Sequence, residues 1–325
     1  MKYILTVSNL WNFSDFDELI KNGVFDFRVN GIHLKNETLE LLNSVLLDRR
    51  INVFYDLPGV KNRIWTSSRQ REVVKAGSIM SICKSNYDNK SFYITGNTFW
   101  DNCKKGDIYH IRRVNRKPVE LEILEVSDDK VTVNVRTDGI IGNGYHIYNP
   151  EKYYSNETLS IDDKMQMKKI DLLNPQVIAV SFADIPKIIE EARDYFGKDK
   201  KYYAKIESPK AIENIDELID ISDGIIIGRD DMSAYYSEDE IDNVIKMTLK
   251  KCDEKNKRMI GASNYLQNVY DTGHYNEKDV YDFNVLKSGE AFGLYINETN
   301  KDGDWRKYLN ALNLMDGQDL LGRKQ

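Results

Sequence analysis

Residues 205–232 read KIESPKAIENIDELIDISDGIIIGRDDM, and this stretch decides the fold. An apolar run, YYA, leads into Lys205 and Glu207, a helical pattern follows, and a second apolar run, GIIIG, leads into RDD. Side chains two residues apart in a strand point the same way, so Lys205 and Glu207 share a face. In a strand-helix-strand unit the next strand end lies beside the first. The stretch therefore predicts parallel strands whose ends gather cations and carboxylates, an arrangement that suits a divalent metal with a bound oxyanion.

The same alternation of apolar runs and helical patterns continues along most of the chain. Strands are predicted at 2–7, 24–29, 51–56, 176–181, 201–206, 223–228, 258–262 and 291–296. Helices are predicted at 14–22, 36–49, 160–172, 184–196, 209–220, 237–255, 277–288 and 304–314. Eight strands that alternate with helices are typical of a (β/α)8 TIM barrel of the α/β class.

Residues 66–154 interrupt this alternation. The helical period disappears there, and turn signals separate four strand-like runs, SFYITG, DIYHIRRV, VELEILEV and KVTVNVRT. We interpret the segment as a small β-barrel cap domain inserted after barrel strand 3, with the TIM barrel formed by residues 1–65 and 155–325. Active sites of such barrels lie at the C-terminal ends of the strands, so the cap is expected to cover the site and exclude water.

Composition limits the classes of function. The 325 residues include 46 basic and 52 acidic ones, a net charge of −6, which argues against a nucleic-acid partner. The three cysteines have no zinc-binding spacing and indicate a reducing compartment. No apolar run is long enough to span a membrane, and the N-terminal sequence lacks the pattern of a signal peptide. We therefore expect a cytoplasmic protein without a membrane partner.

Several motifs together resemble the pyruvate kinase family. In chain order they read KYILTVSN, FDFRVNGIH, FYDLPGVKNR, VIAVSFAD, KIES, RDDM and MIGASNYL. Their order and spacing make chance agreement improbable, and the resemblance covers nearly the whole chain. It implies the family's fold and a phosphoryl transfer that proceeds through the enolate of pyruvate.

The resemblance also implies roles for individual residues. It assigns Lys205 to the essential lysine beside the transferring phosphoryl group and the enolate oxygen. Arg28 and Arg63 match the arginines near phosphate, and Ser263 stands where the family has a threonine hydroxyl. Four further residues are assigned to the substrate or nucleotide: Asn30, His33, Arg229 and Asp230.

The metal assignment follows from the same resemblance. Glu207 and Asp231 match the carboxylates that hold Mg²⁺ or Mn²⁺ in the family. The chemistry agrees, because Mg²⁺ takes few protein carboxylates and leaves positions for substrate oxygens. A cation beside an enolate stabilises charge that develops only during the reaction.

The family's monovalent-cation site is altered in this sequence. Ile32 and Leu57 stand where the family supplies hydroxyl oxygens to K⁺. An ammonium is a compact substitute for this ion. We therefore expect that K⁺ is not required and that Lys61, together with Asp56, takes its place.

Other departures affect the substrate and the nucleotide. Asp230 replaces a glycine whose N–H approaches the substrate carboxylate, which disfavours the usual anion. Arg112 begins the stretch that replaces an Asp-Asp-Gly turn, and Asn143 replaces a lysine for nucleotide phosphate. The sequence ends soon after the eighth predicted helix, so we expect no C-terminal regulatory domain.

We therefore predict a compact pyruvate kinase-like, Mg²⁺-dependent phosphotransferase that acts on phosphoenolpyruvate, pyruvate or a related 2-oxo acid. ADP or ATP and further copies of the chain are candidate partners. A metal-dependent 2-oxo-acid aldolase is the second hypothesis, because IESPKAIENIDELI and DGIIIGRDDMSA also resemble the metal-binding stretch of such enzymes. A non-catalytic regulatory barrel is the third.

Overall fold

The computed structural model describes residues 2–32, 34–66, 70–85, 92–113, 116–155, 157–287, 292–296 and 304–317. His33, a predicted site residue, lies outside these ranges. Contacts divide the chain into two compact units. Met1–Gly59 with Asn156–Gln325 form the barrel unit, and Val60–Ser155 form the inserted unit.

The barrel unit contains a closed parallel barrel of eight strands in the order β1-β17-β16-β15-β14-β13-β3-β2, and the predicted TIM barrel is confirmed. Its strands are β1 Lys2–Thr6, β2 Asp26–Asn30, β3 Asn52–Asp56, β13 Val177–Val180, β14 Lys201–Ile206, β15 Gly224–Gly228, β16 Arg258–Ala262 and β17 Phe292–Ile296. Every predicted barrel strand overlaps one of these. Most are short and rich in apolar residues because a barrel strand is largely buried on both faces.

Helices pack around this barrel. They are α1 Phe13–Lys21, α2 Asn36–Asp48, α4 Ile161–Lys164, α5 Met167–Leu173, α6 Pro186–Phe196, α7 Pro209–Glu213, α8 Ile215–Ile221, α9 Arg229–Met232, α10 Glu238–Glu254, α11 Gln267–Thr272, α12 Glu277–Lys287 and α13 Arg306–Gly317. Two predicted helices, 160–172 and 209–220, are each divided into two, and α9 and α11 were not predicted. Of the helices in the described ranges, none is long and apolar enough to cross a membrane.

The interior of the barrel is apolar up to the last residues of its strands. Its buried side chains are Ile4, Phe54, Val177, Ala179, Tyr203, Ile226, Ile260, Ala262 and Tyr295. Two residues further along their strands, Phe54, Ala179 and Tyr203 are followed by Asp56, Ser181 and Lys205. Because alternate residues of a strand share a face, these polar groups form the next layer of the interior, at the C-terminal end.

The inserted unit is a closed barrel of seven strands in the order β10-β6-β7-β4-β12-β8-β9, beside a two-stranded sheet of β11 and β5. The predicted inserted β-barrel is thereby confirmed. The unit's elements are β4 Arg63–Thr66, β5 Glu72–Val74, β6 Ile79–Cys83, β7 Phe92–Thr95, α3 Asn97–Asn102, β8 Ile108–Arg113, β9 Arg116–Val126, β10 Lys130–Val135, β11 Gly139–Ile141 and β12 Tyr145–Tyr148. The sequence predicted β7, β8, β9 and β10 but not β4, β5, β6, β11 and β12.

Candidate active site

Lys205 lies at the centre of a polar cluster at the C-terminal end of the barrel. Its Nζ lies 2.9 Å from Glu207 Oε1 and 3.4 Å from Asp56 Oδ2. It also donates a hydrogen bond of 2.9 Å to Ser181 Oγ. The lysine and both carboxylates are buried. The shared face predicted from the i, i+2 spacing of Lys205 and Glu207 is therefore present as a direct ion pair.

Asp56 joins a second cation, Arg28, to the cluster. Arg28 donates from Nε to Asp56 Oδ2 at 2.9 Å, and its Nη2 lies 2.8 Å from the same oxygen. Its Nη1 donates to Thr6 Oγ1 at 3.2 Å. β1, β2 and β3 are neighbours in the sheet, so their ends bring Thr6, Arg28 and Asp56 together. The guanidinium is thus held in a fixed orientation.

The Glu207 carboxylate is also held in place by its surroundings. The backbone N–H of Phe182 donates to Glu207 Oε2 at 3.0 Å. Phe182 has a φ of 52°, a left-handed conformation that is rare for a bulky residue and is often found at functional sites. On another side, a Cβ added to Gly228 would lie 2.7 Å from Glu207 Oε1, so this position requires glycine.

The electrostatic balance keeps Lys205 charged. Burial alone would lower the pKa of Lys205, but Glu207 and Asp56 outweigh burial, and the pKa is raised above its ordinary value. Arg28 opposes the rise only in part. Lys205 is therefore a permanent cation at neutral pH, suited to stabilise a developing negative charge rather than to act as a base.

Tyr295 underlies this cluster from β17. Its ring lies 5.2 Å from the Arg28 guanidinium carbon, in the arrangement of a cation–π contact, and packs edge-on against Phe54. Burial, and next the charge of Asp56, raise the pKa of Tyr295 well above its usual value, so the hydroxyl stays neutral. The ring therefore supports the guanidinium from the apolar interior.

The RDD segment lies in the short helix α9, which begins at Arg229, directly after Gly228. Asp230 and Asp231 are half-buried. Asp230 Oδ1 accepts a hydrogen bond of 3.1 Å from Asn264 Nδ2. Ser263 and Asn264 have φ values of 65° and 57° and form a left-handed turn after β16. The turn that carries Ser263 and the helix that carries Asp230 are thus linked directly.

Arg229 lies in a different cluster from Lys205. Its Nη1 lies 2.5 Å from Asp282 Oδ2, and its Nη2 lies 2.5 Å from Asp242 Oδ1. Its guanidinium also covers the Tyr265 ring at 4.7 Å. These partners belong to the outer helices and to the loop after β16. The structure does not bring Arg229 into contact with the Lys205 cluster.

The remaining predicted residues are distributed between the two units. Asn30 ends β2 and accepts the N–H of Ile32 at 3.2 Å, which forms a turn at the C-terminal edge of the barrel. Lys61 and Arg63 belong to the inserted unit, where Arg63 donates to the backbone oxygen of Gly144 at 2.8 Å. The place of Lys61 as a substitute for K⁺ stays a prediction.

The carboxylates present can form only a sparse metal site. Within the described ranges, no group of three or more His, Cys, Asp or Glu side chains could hold a metal by itself. Glu207 Oε1 lies against Gly228, and Asp231 follows one helical turn later. Two carboxylates are the donor set of a Mg²⁺ ion that keeps water and substrate oxygens as its other ligands. This donor set is compatible with magnesium bound together with substrate, and the assignment of Glu207 and Asp231 to the metal stays a prediction.

Sequence reasoning did not identify several residues of this cluster. Ser181, Thr6, Phe182 and Tyr295 were not predicted, and Asp56 was assigned only to a monovalent cation. A usable signal existed for Ser181 and Asp56, because each lies two residues after an interior residue of its strand. No local signal marks Tyr295 or the left-handed conformation of Phe182.

Comparisons with known proteins point to one family. The family described as pyruvate kinase, barrel domain, matches residues 11–286. A pyruvate kinase of Thermotoga maritima is 26% identical over 296 residues, which are 87% of this chain and 63% of the relative. A pyruvate kinase of Methylorubrum extorquens is 22% identical over 311 residues, 92% of this chain and 64% of the relative. The chain thus spans slightly less than two thirds of these relatives.

Proposed function

The chain belongs to the pyruvate kinase family, and we propose that it is a Mg²⁺-dependent phosphotransferase acting on phosphoenolpyruvate, pyruvate or a related 2-oxo acid through an enolate. The observation that carries this proposal is Lys205, buried and charged between Glu207 and Asp56 at the C-terminal end of the barrel. Phosphoryl transfer needs mainly positioning and charge neutralisation, and this cluster provides both.

Each side chain of the cluster has a distinct part in this proposal. Lys205 provides a fixed positive charge where negative charge develops on the enolate oxygen. Arg28, oriented by Asp56 and Thr6, neutralises the phosphoryl group. Ser263 supplies a hydroxyl at the end of β16. A bound Mg²⁺, held by Glu207 and Asp231, would supply Lewis-acid stabilisation of the substrate oxygens.

Asp230 distinguishes the substrate from that of the family. This residue places a carboxylate at the start of α9, where the family has glycine. Its Oδ1 accepts a hydrogen bond from Asn264. A negative charge there repels the carboxylate of an ordinary 2-oxo acid. We therefore propose that phosphoenolpyruvate and pyruvate bind weakly, and that the preferred substrate is less anionic at this end or carries a hydrogen-bond donor for Asp230.

The proposed reaction is tested by NMR of the full chain with phosphoenolpyruvate or pyruvate in D₂O. Phosphorus and methyl-proton signals are followed together, with and without ADP or ATP. We expect phosphoryl transfer and methyl-proton exchange with Mg²⁺, and neither with a chelator. Methyl-proton exchange without phosphoryl transfer, whether ADP, ATP or no nucleotide is present, would support the aldolase hypothesis instead. Ligand binding with neither signal would support the regulatory barrel.

The close contact between Gly228 and Glu207 leads to a separate prediction. Gly228→Ala places a methyl group 2.7 Å from Glu207 Oε1 and displaces the carboxylate. The Mg²⁺ concentration needed for half-maximal activity should rise about tenfold or more, as for other changes that reorient a metal ligand. The measurement is a Mg²⁺ titration of the initial rate.

Gly224→Ala, at the other end of the same strand, is the matched control for this variant. Its added Cβ meets the Tyr203 ring of the neighbouring strand β14 at 2.6 Å, so it crowds the barrel as severely as Gly228→Ala. It does not touch Glu207. We expect lower stability but an unchanged Mg²⁺ requirement. An equal change in both variants would mean that crowding of the barrel, and not Glu207, determines the effect.

A further inference from the structure

Four neighbouring strands of the inserted barrel carry an unusual outer face. The inner face of β7, β4, β12 and β8 is apolar, with Ile94, Ile64, Ile147 and Ile111 all buried. Because alternate residues of a strand point to opposite faces, the residues between these isoleucines face outward. On this outer face lie Tyr93, Thr95, Arg63, Trp65, His146, Tyr148, His110 and Arg112.

Three of these residues form a row across the sheet. His146 of β12 is paired with Arg63 of β4 on one side and with Arg112 of β8 on the other. Neighbouring strands lie about 4.8 Å apart, so the two arginines stand on strands about 10 Å apart with the imidazole between them. Two long guanidinium side chains can reach one group across that distance. The row therefore concentrates positive charge in a chain whose net charge is negative.

The row is both oriented and partly shielded from water. Arg63 is fixed by its hydrogen bond of 2.8 Å to the Gly144 carbonyl. All three side chains are half-buried, which strengthens their interaction with an anion relative to exposed groups. Burial raises the pKa of the Tyr148 hydroxyl, and Arg112 lies close enough for its positive charge to lower that pKa in part. Both arginines thus lie against the sheet.

Aromatic rings border the row on both sides. Trp65 and Tyr93 lie nearly parallel, with ring centroids 6.5 Å apart, and a Cβ at Gly144 would lie 3.5 Å from the indole. On the other side, Tyr148 lies within 6 Å of both histidine rings. Burial lowers the pKa of His110 and outweighs the opposite effect of the Glu120 charge, so this ring is mainly neutral at pH 7. The borders are therefore flat and weakly polar.

We infer that the row Arg63–His146–Arg112 binds a phosphoryl oxyanion. Arginine forks match the geometry of phosphate oxygens, and an imidazole between them adds a further hydrogen-bond donor. The two arginines repel each other across β12, and a bound dianion would offset that repulsion. The inference deepens the proposed function, since it assigns Arg112 and His146 to phosphate binding, but it does not depend on turnover.

The test is a titration of the full chain with inorganic phosphate, phosphoenolpyruvate and ADP in separate experiments. The imidazole ¹⁵N signals of His146 are observed by NMR and assigned through His146→Gln. We expect at least one of these ligands to shift the His146 signals, and Arg112→Gln to weaken its binding about tenfold or more, as loss of one charge-assisted hydrogen bond requires. The ligand that responds identifies the source of the phosphoryl group.

Arg136→Gln provides the matched control, because Arg136 is an exposed arginine of the same unit outside the row. Its affinity for each ligand should equal that of the wild type. The inference is overturned if no ligand shifts the His146 signals, or if Arg112→Gln binds as the wild type does. It is also overturned if Arg136→Gln weakens binding equally. Binding at the row without phosphoryl transfer would reject the proposed function while leaving this site intact.

Discussion

Lys205→Met should lower the rate of both phosphoryl transfer and pyruvate enolisation about 10³-fold, the loss expected when one preorganised stabiliser of an oxyanion is removed. The ammonium lies within 3.4 Å of two buried carboxylates, Glu207 and Asp56, and its raised pKa keeps it charged. Methionine keeps most of the side-chain length but removes the charge. Phosphorus and methyl-proton NMR of the variant measure the two steps separately.

Two further variants separate chemistry from stability. Lys205→Arg keeps a positive charge between the carboxylates, yet a planar fork replaces a compact point charge, so folding should be retained and activity lost. Lys201→Met changes an exposed lysine at the other end of the same strand and should leave both rates unchanged. A Lys205→Met protein that is folded and retains either reaction would contradict the proposed role of Lys205.

The barrel was predictable from the sequence because its strands are buried on both faces. VIAV of β13 and GIIIG of β15 are continuous apolar runs, and such runs alternate with helical patterns along the chain. The short strands of the inserted unit lack this signal. In β5 only Val74 of the three residues is buried, and β11 also has one buried residue in three. Their pairing depends on partners distant in the sequence.

The candidate site was predictable only where its geometry is local. Lys205 and Glu207 lie two residues apart on one strand, and alternation alone places them together. Asp56 contacts both Arg28 and Lys205 because β2, β3, β13 and β14 are consecutive in the closed barrel. No short stretch of sequence reveals this order. Arg229 shows the opposite case. It directly follows a barrel strand, as many active-site residues do, yet its partners lie on the outer helices.

Arg229 has the bonding pattern of a structural residue. Its guanidinium is buried, lies 2.5 Å from carboxylate oxygens of Asp242 and Asp282, and covers the Tyr265 ring. It thereby ties α9 to α10 and α12. Since α9 also carries Asp231, this network fixes the element that presents a proposed metal ligand. Removing the arginine should therefore affect folding before it affects any binding step.

We expect Arg229→Met to lower the free energy of unfolding by about 3–5 kcal/mol at neutral pH, because it leaves a buried carboxylate without its cation. Burial raises the pKa of Asp282, and Arg229 opposes that rise. Without Arg229 the pKa of Asp282 rises further above its unfolded value, so the variant loses stability as the pH rises through that pKa. The difference in free energy of unfolding between the wild type and the variant should therefore become smaller as the pH is lowered from neutral to about 4. Urea unfolding at several pH values measures it.

Arg193→Met is a close control, since Arg193 also pairs with a carboxylate, Asp223, and lies over a tyrosine ring, Tyr202. That ion pair is partly exposed to solvent, so its loss should lower the free energy of unfolding by less than about 1 kcal/mol. Adding Asp282→Asn to Arg229→Met should recover part of the lost stability, because it removes the unpaired charge. A raised KM with an unchanged free energy of unfolding would instead identify Arg229 as a substrate-binding residue, as its sequence position suggested.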